Sequence, residues 1–256
     1  MRITVALTPG LLREPRRHAV AVVDVLRATT SLVAMFEGGL LRAMVSENLQ
    51  QARKLALANF ALLCGEVRAA PPPGFDYGNS PAEFSHLSFR GKSAVLCTTN
   101  GTRALAAAAD APVVAAAALT NRRAVAGRMV DEAGRRRLDI AVVCAGTERG
   151  TAFSLEDTAA AGAIVEAARD ADPALALTDE AWAALHLWRW YRGDAGRIFR
   201  QSKHGRTLEE GGFVEDLRYA AQIDVSATVP LLYDDRGVKV LRTRRPRAGR
   251  GSVESA

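Results

Sequence analysis

Four apolar runs in this chain each end directly in small, charged or hydroxyl-bearing residues. They are residues 19–23 before Asp24, 61–64 before Gly65 and Glu66, 93–97 before Thr98, and 138–144 before Ala145 and Gly146. A short apolar run that stops at such residues is typical of a buried strand followed by a βα turn. In an open α/β sheet the ligand crevice lies beyond the carboxyl ends of the strands. We therefore expect these acids and hydroxyls at one rim, where they suit a phosphorylated ligand.

Three carboxylates are candidate ligands for a divalent cation: Asp24, Glu66 and Glu156. Mg²⁺ asks for few protein carboxylates, because it keeps several waters and also binds substrate phosphate oxygens. Glu156 and Asp157 are adjacent, so on a helix their side chains diverge by about 100°. We expect Asp157 to complete a capping box with Ser154, which leaves Glu156 for the metal. The alternative for Asp24 and Glu66 is a role in the turns themselves.

Two further residues are candidates for catalysis alongside Asp24. Arg27 offers a planar fork of donors for phosphate, sulfonate or carboxylate, although an ordinary surface arginine is the alternative. His204 has the best neighbours of the four histidines for proton transfer or anion binding, and we place it in a loop. A purely structural histidine remains the alternative there.

Small polar residues form the candidate phosphate-binding and substrate-binding set. They are Thr29, Thr30, Asn79, Ser80, Thr98, Thr99, Asn100, Gly101 and Thr102. The segment 98–102 lies between a strand and a helix, so its N–H groups and hydroxyls can point at one anion. It lacks the Gly-Lys-Ser/Thr ending of a Walker loop. Thr29 and Thr30 are also expected to cap a helix over residues 31–37.

The order of predicted elements indicates an α/β protein. Strands alternate with helices as far as residue 171, which predicts a three-layer α/β/α fold around a mostly parallel or mixed sheet. The two βα-rich halves could pack as related lobes. A largely helical segment follows, and residues 234–237 then join two further strands with hairpin chemistry. We assign residues 1–241 to this α/β domain.

Composition and charge limit the classes of protein to which this chain can belong. The chain has 256 residues and a formal net charge of +6, but residues 242–256 alone carry five arginines and one glutamate. We expect that basic segment to be a disordered tail, and a nucleic-acid partner is disfavoured because no aromatic residues interleave it. No apolar stretch reaches the length of about 20 residues that spans a bilayer, and no signal peptide is evident. A cytoplasmic protein without a membrane partner is expected, and Ala-rich helical surfaces are compatible with a homo-oligomer.

An ordered set of segments resembles the 2-phosphosulfolactate phosphatase family. The segments are 24–30 (Asp-Val-Leu-Arg-Ala-Thr-Thr), 65–66, 74–81, 98–102, 144–146, 154–157, 202–205 and the region of Asp216 and Asp224. The resemblance implies a Mg²⁺-dependent hydrolase of coenzyme M biosynthesis. It would cleave the phosphate monoester of a small 2-hydroxy acid, converting 2-phosphosulfolactate to sulfolactate and phosphate. The competing hypothesis is a non-catalytic binding protein or sensor that uses the same rim for a phosphorylated or sulfonated acid.

Overall fold

The computed structural model describes residues 1–243, and within them ten strands and ten α-helices alternate along much of the chain. The strands are β1 (Arg2–Ala6), β2 (His18–Val23), β3 (Arg42–Ser46), β4 (Leu62–Gly65), β5 (Ser93–Cys97), β6 (Val113–Ala117), β7 (Asp139–Cys144), β8 (Ala176–Leu177), β9 (Leu231–Asp235) and β10 (Val238–Arg242). The helices are α1 (Ala28–Glu37), α2 (Leu49–Asn59), α3 (Pro81–Ser85), α4 (Gly101–Ala107), α5 (Arg122–Arg136), α6 (Leu155–Ala171), α7 (Asp179–Trp190), α8 (Ala195–Gln201), α9 (Lys203–Glu210) and α10 (Val214–Ala220).

All ten strands belong to one mixed sheet in the order β4-β5-β3-β10-β9-β6-β2-β7-β1-β8. Strands β4, β5 and β3 form one parallel block, and β6, β2, β7, β1 and β8 form a second. The predicted hairpin β9–β10 lies between the blocks and pairs antiparallel with β3 on one side and β6 on the other. The α/β class and the mixed sheet are thereby confirmed.

Both blocks pack on the same central helices. Val22 of β2 and Leu96 of β5 belong to one buried cluster that also contains Leu32 of α1 and Leu105 of α4. The opposite face of the larger block packs on α5, α6 and α7, and the opposite face of the smaller block packs on α2. Each half of the sheet therefore has helices on both faces, and the two halves share the middle layer.

Two helix starts near the candidate site residues differ from the predicted ones. Asn48 caps α2, since its Oδ1 accepts from the N–H groups of Gln50 and Gln51 at 2.8 and 3.1 Å. By contrast, α1 begins at Ala28, so Thr29 and Thr30 lie inside its first turn and the capping prediction for them is wrong. Their hydroxyls donate backwards to the carbonyls of Asp24 and Val25 at 2.9 and 2.8 Å.

The second difference is α9, which carries His204 in its first turn instead of in a loop. Ser202 caps this helix by accepting from the N–H of Gly205 at 3.0 Å. A Cβ on Gly205 would overlap the backbone oxygen of Phe199, so this glycine permits the close packing of α8 on α9. The loop prediction for His204 is therefore wrong, and Gly205 is a packing requirement of a helix.

The end of the described region can be compared with the predicted boundary between the domain and the basic tail. Strand β10 extends through Arg242, one residue beyond the predicted domain boundary. The remainder of the predicted basic tail, residues 244–256, lies outside the described residues. Among residues 1–243, no helix combines the length and the apolar character that crossing a bilayer requires.

Helix α6 approaches α7 closely because residue 162 has no side chain. A Cβ on Gly162 would overlap the backbone carbonyl of Ala184, so an alanine forces the two helices apart. Gly127 on α5 is a matched control, since no atom lies within 4 Å of its Cβ position. We expect Gly162→Ala to lower the free energy of unfolding by about 1–3 kcal/mol. Gly127→Ala should stabilise by up to about 1 kcal/mol through higher helix propensity. Urea denaturation measures both, and equal effects would contradict the close packing.

Candidate active site

A cleft of about 740 Å³ opens where strands from both halves of the sheet end. The predicted residues that line it are Asp24, Arg27, Glu66, Asn79, Thr98, Thr99, Asn100 and His204. They come from the turns after β2, β4 and β5, from the loop before α3 and from α9. Most of the predicted set thus lies in one cavity, with Glu156 close enough to Asp24 to affect its charge.

Asp24 lies at the end of β2 and is almost fully buried. Its Oδ1 accepts from the N–H of Ala28 at 3.2 Å, and its Oδ2 lies beside Gly101, where a Cβ would come within 2.5 Å. Burial raises the pKa of Asp24 to about 7, and the negative charges of Glu66 and Glu156 act in the same direction. A cation bound here would relieve both effects.

Glu156 and Asp157 both lie at the buried start of α6, but they have different surroundings. Ser154 caps the helix by accepting from the Asp157 N–H at 3.2 Å, as predicted. The Asp157 carboxylate does not complete a capping box. It accepts instead from the N–H groups of Val25 at 2.9 Å and Gly146 at 3.1 Å, which joins the turns after β2 and β7. Burial, followed by the charges of Asp24 and Glu156, raises the pKa of Asp157 well above its usual value.

Glu66 joins two loops at the other side of the cleft. Its carboxylate accepts from the N–H of Thr99 at 2.8 Å and from the N–H of Ala69 at 2.9 Å. The side chain is only partly buried and faces the same cavity as Asp24. The two amide donors fix the direction of this carboxylate relative to the loop after β5.

The donor chemistry fits a divalent cation held by few protein ligands. Asp24, Glu66 and Glu156 supply hard carboxylate oxygens, and a further unsatisfied oxygen belongs to Asn79, whose buried Oδ1 has no hydrogen-bond partner in residues 1–243. Within the same residues no group of three or more Asp, Glu, His or Cys side chains is arranged to hold a metal ion, so at most two of these carboxylates are placed to bind one together. This pattern suits Mg²⁺, which leaves positions open for water and phosphate oxygens.

Arg27 is held in a buried ion pair. Its Nη1 donates to Asp216 of α10 at 2.6 Å, its Nη2 donates to the carbonyl of Ala69 at 3.0 Å, and its guanidinium lies 4.3 Å from the ring centre of Phe213. Both charged side chains are only 2% exposed. Asp216 also accepts from the Ser80 hydroxyl at 2.5 Å. The structure therefore gives Ser80 a contact that supports Arg27, in addition to its capping of α3.

Several residues of the predicted binding set lie behind the cleft surface. Thr29, Thr30 and Thr102 are fully buried, and each donates its hydroxyl to a backbone carbonyl, which for Thr102 is that of Thr98 at 2.9 Å. Gly101 packs on Asp24 without lining the cavity. The role that these contacts support is positioning of the loops, because hydroxyls already committed to the backbone are poor donors to a ligand.

His204 faces the cleft from α9 together with Thr207. Burial lowers the pKa of His204, and the positive charge of Arg27 acts in the same direction, while Glu156 and Glu66 oppose it. The neutral form of the imidazole is thereby favoured. A neutral imidazole beside a ligand can accept a proton.

The sequence-based prediction missed three arginines that line the same cavity: Arg68, Arg103 and Arg149. Arg68 follows β4 by three residues, and Arg149 follows β7 by five. The sequence signal that could have found these two is their position just beyond strand ends already singled out. Arg103 pairs with Glu47 at 3.3 Å.

Comparison with known proteins places the chain in a family. The family model for 2-phosphosulpholactate phosphatase matches residues 6–235. The chain belongs to this family. A relative from Pseudothermotoga lettingae, named "Probable 2-phosphosulfolactate phosphatase", is 35% identical over 231 residues, covering 89% of this chain and 96% of the relative. A relative of the same name from Deinococcus radiodurans is 40% identical over 218 residues, covering 82% and 86%.

Membership of the 2-phosphosulpholactate phosphatase family makes this chain a phosphoric monoester hydrolase by class, as the sequence resemblance implied. The matched region includes the turn after β2, the loop after β5 and helices α6, α9 and α10. All elements that build the cleft therefore lie within the family region.

The Arg27–Asp216 pair yields a stability prediction. Asp216→Asn leaves the buried Arg27 guanidinium without a counter-charge, which we expect to lower the free energy of unfolding by about 3–5 kcal/mol. Glu215→Gln on the same helix is the matched control, because its ion pair with Arg218 is about 70% exposed on both sides. That variant should change stability by less than about 1 kcal/mol. Thermal and urea unfolding of both variants measure the difference. Similar losses of stability in the two variants would contradict the prediction that Asp216→Asn leaves a buried charge without a partner.

Proposed function

We propose that this chain is a Mg²⁺-dependent phosphatase that hydrolyses the phosphate monoester of a small 2-hydroxy acid, with 2-phosphosulfolactate as substrate and sulfolactate and phosphate as products. The observation that carries the proposal is the excess of carboxylate charge around Asp24 inside an arginine-lined cleft. Acids alone would repel a phosphate ester, and arginines alone would not explain the buried carboxylates. Both are accounted for if a cation and a multiply charged anion bind together.

In the proposed site, Asp24 and no more than one of Glu66 and Glu156 contact the metal directly, the other carboxylate adds negative charge nearby, and Asn79 offers its unsatisfied oxygen. Bound Mg²⁺ would supply Lewis acidity that neutralises charge developing on the phosphoryl oxygens. Arg27 lines the cavity and is fixed by Asp216 and Ala69, and guanidinium hydrogens that those contacts leave free would bind phosphate. The loop 98–100 lines the cavity between them and offers hydroxyl and amide donors.

The remaining chemical task is proton transfer. The neutral His204 imidazole accepts a proton from the attacking water and returns a proton to the departing 2-alkoxide. Direct attack by water is proposed in place of attack by Asp24, because this carboxylate is assigned to the metal and its Oδ1 also accepts from the Ala28 amide.

Phosphate release from a panel of phospho-acids tests the reaction. We expect release from 2-phosphosulfolactate that requires Mg²⁺, is abolished by EDTA, and falls at least about 100-fold in Asp24→Asn, because a metal-bearing carboxylate is lost. Asp131→Asn, which removes an exposed carboxylate on α5, is the matched control and should retain activity. Thermal stabilisation by the ligand with no phosphate release would instead support the non-catalytic sensor, which no finding here favours.

The stereochemical course at phosphorus separates the two routes of attack. A substrate made chiral at phosphorus with sulfur and oxygen isotopes should give inverted thiophosphate, because a single in-line displacement by water inverts the centre. Retention would require two displacements and would identify Asp24 as a nucleophile. Borohydride trapping of an acyl phosphate at Asp24 provides a second measurement, and we expect no trapped product.

A further inference from the structure

Among residues 1–243, two of the four arginines that line the cleft have no acidic partner. Arg27 is paired with Asp216, and Arg103 is paired with Glu47. No carboxylate of residues 1–243 lies within 4 Å of a charged nitrogen of Arg68 or Arg149. Both side chains are exposed at the mouth of the cavity. Their charges are therefore available to a ligand.

Hydrogen bonds connect the backbone at or next to each of these two arginines to the loop after β5. The Arg149 N–H donates to Oδ1 of Asn100 at 2.9 Å. On the other side, Glu66 accepts from the N–H groups of Thr99 and of Ala69, the residue after Arg68. The backbone at Arg149 and the backbone next to Arg68 are thus tied to adjacent residues of one loop, and both arginines line the same cavity.

We propose that Arg68 and Arg149 are the specificity-determining residues that bind the two acidic groups of the substrate that are not hydrolysed, its sulfonate and its carboxylate. This inference rests on the proposed function. A guanidinium presents paired donors that match the oxygens of either group. The substrate carries two such groups beside its phosphate, and two guanidinium groups that line the cavity have no carboxylate partner in the described part of the chain.

The distribution of charge along the cleft supports this assignment. Asp24, Glu66 and Glu156 concentrate negative charge at the deep end, so an acidic group of the ligand is favourable there only together with a cation. Arg68 and Arg149 supply positive charge at the mouth without any metal. The phosphate is accordingly expected at the deep end, and the other two acids at the mouth.

Substitution by glutamine tests the proposal. Arg68→Gln and Arg149→Gln should each raise the KM for 2-phosphosulfolactate by about 10–100-fold, as expected for loss of a charge-assisted hydrogen bond, with kcat changed by less than about 3-fold. Arg192→Gln is the matched control, because Arg192 has the same left-handed backbone (φ 54° in both Arg68 and Arg192), is exposed and lies outside the cleft. It should leave KM unchanged.

Activity with 2-phospholactate, which lacks the sulfonate, shows which of the two arginines binds the sulfonate and which binds the carboxylate. The variant that removes the sulfonate contact should lose the preference of the wild type for 2-phosphosulfolactate over 2-phospholactate. The other variant should raise the KM for both substrates, because both carry the carboxylate. Unchanged KM values and unchanged preference in both variants would overturn the proposal.

Calorimetric binding of sulfolactate keeps the inference testable if the wild type releases no phosphate, which would refute the proposed function alone. Sulfolactate should bind the wild type and Arg192→Gln with similar Kd, and should bind Arg68→Gln and Arg149→Gln at least about 10-fold more weakly. Equal Kd values in all four proteins, or no binding to the wild type, would overturn the assignment of the two arginines.

Discussion

The burial of neighbouring carboxylates is the constraint on which this site depends. Asp24 and Glu66 line the cleft, Glu156 and Asp157 lie at the buried start of α6, and the pKa of Asp24 is raised to about 7 first by burial and then by the charges of Glu66 and Glu156. Three of the four are held by backbone N–H groups, which favour the ionised form and fix its direction. These amides come from the turns after β2, β4, β5 and β7. The loops and the carboxylates therefore determine each other's positions.

The loops that carry these carboxylates converge although the two parallel blocks of the sheet run in opposite directions. The β9–β10 hairpin joins the blocks with antiparallel pairing on both sides. Because both blocks wrap the same helices α1 and α4, the end of β5 still meets the end of β2. Gly101 is the point of contact, since any side chain there would displace Asp24 or Ala28. A substitution at Gly101 would therefore displace the Asp24 carboxylate, so its first effect would be on the position of negative charge in the cleft and not on the packing of the core.

Much of this arrangement could be predicted from sequence, because apolar runs ending in functional residues locate strand ends directly. Asp24, Glu66 and Thr98 were placed at one rim on that basis, and all three line the cleft. The start of α9 could not be predicted from the sequence. Residue 205 must be glycine because it contacts the backbone of Phe199 in the neighbouring helix, and no pattern in the residues around 205 indicates that contact. The bridge from Asp157 to Val25 and Gly146 was missed for the same reason. A capping-box pattern indicates only the local partner.

The arginines show how the fold separates structural charge from charge reserved for a ligand. A buried ion pair gains little net stability after desolvation, so Arg27–Asp216 is better explained by the orientation it imposes on the guanidinium than by stability. Asp216 also binds Ser80, which couples α10 and α3 to the turn after β2. Arg68 and Arg149 have no acidic partner among residues 1–243 and are exposed where they line the cleft, so a ligand can bind them without first breaking an ion pair. A multiply charged acid would then be attracted by these two exposed cations and oriented by the fixed guanidinium of Arg27.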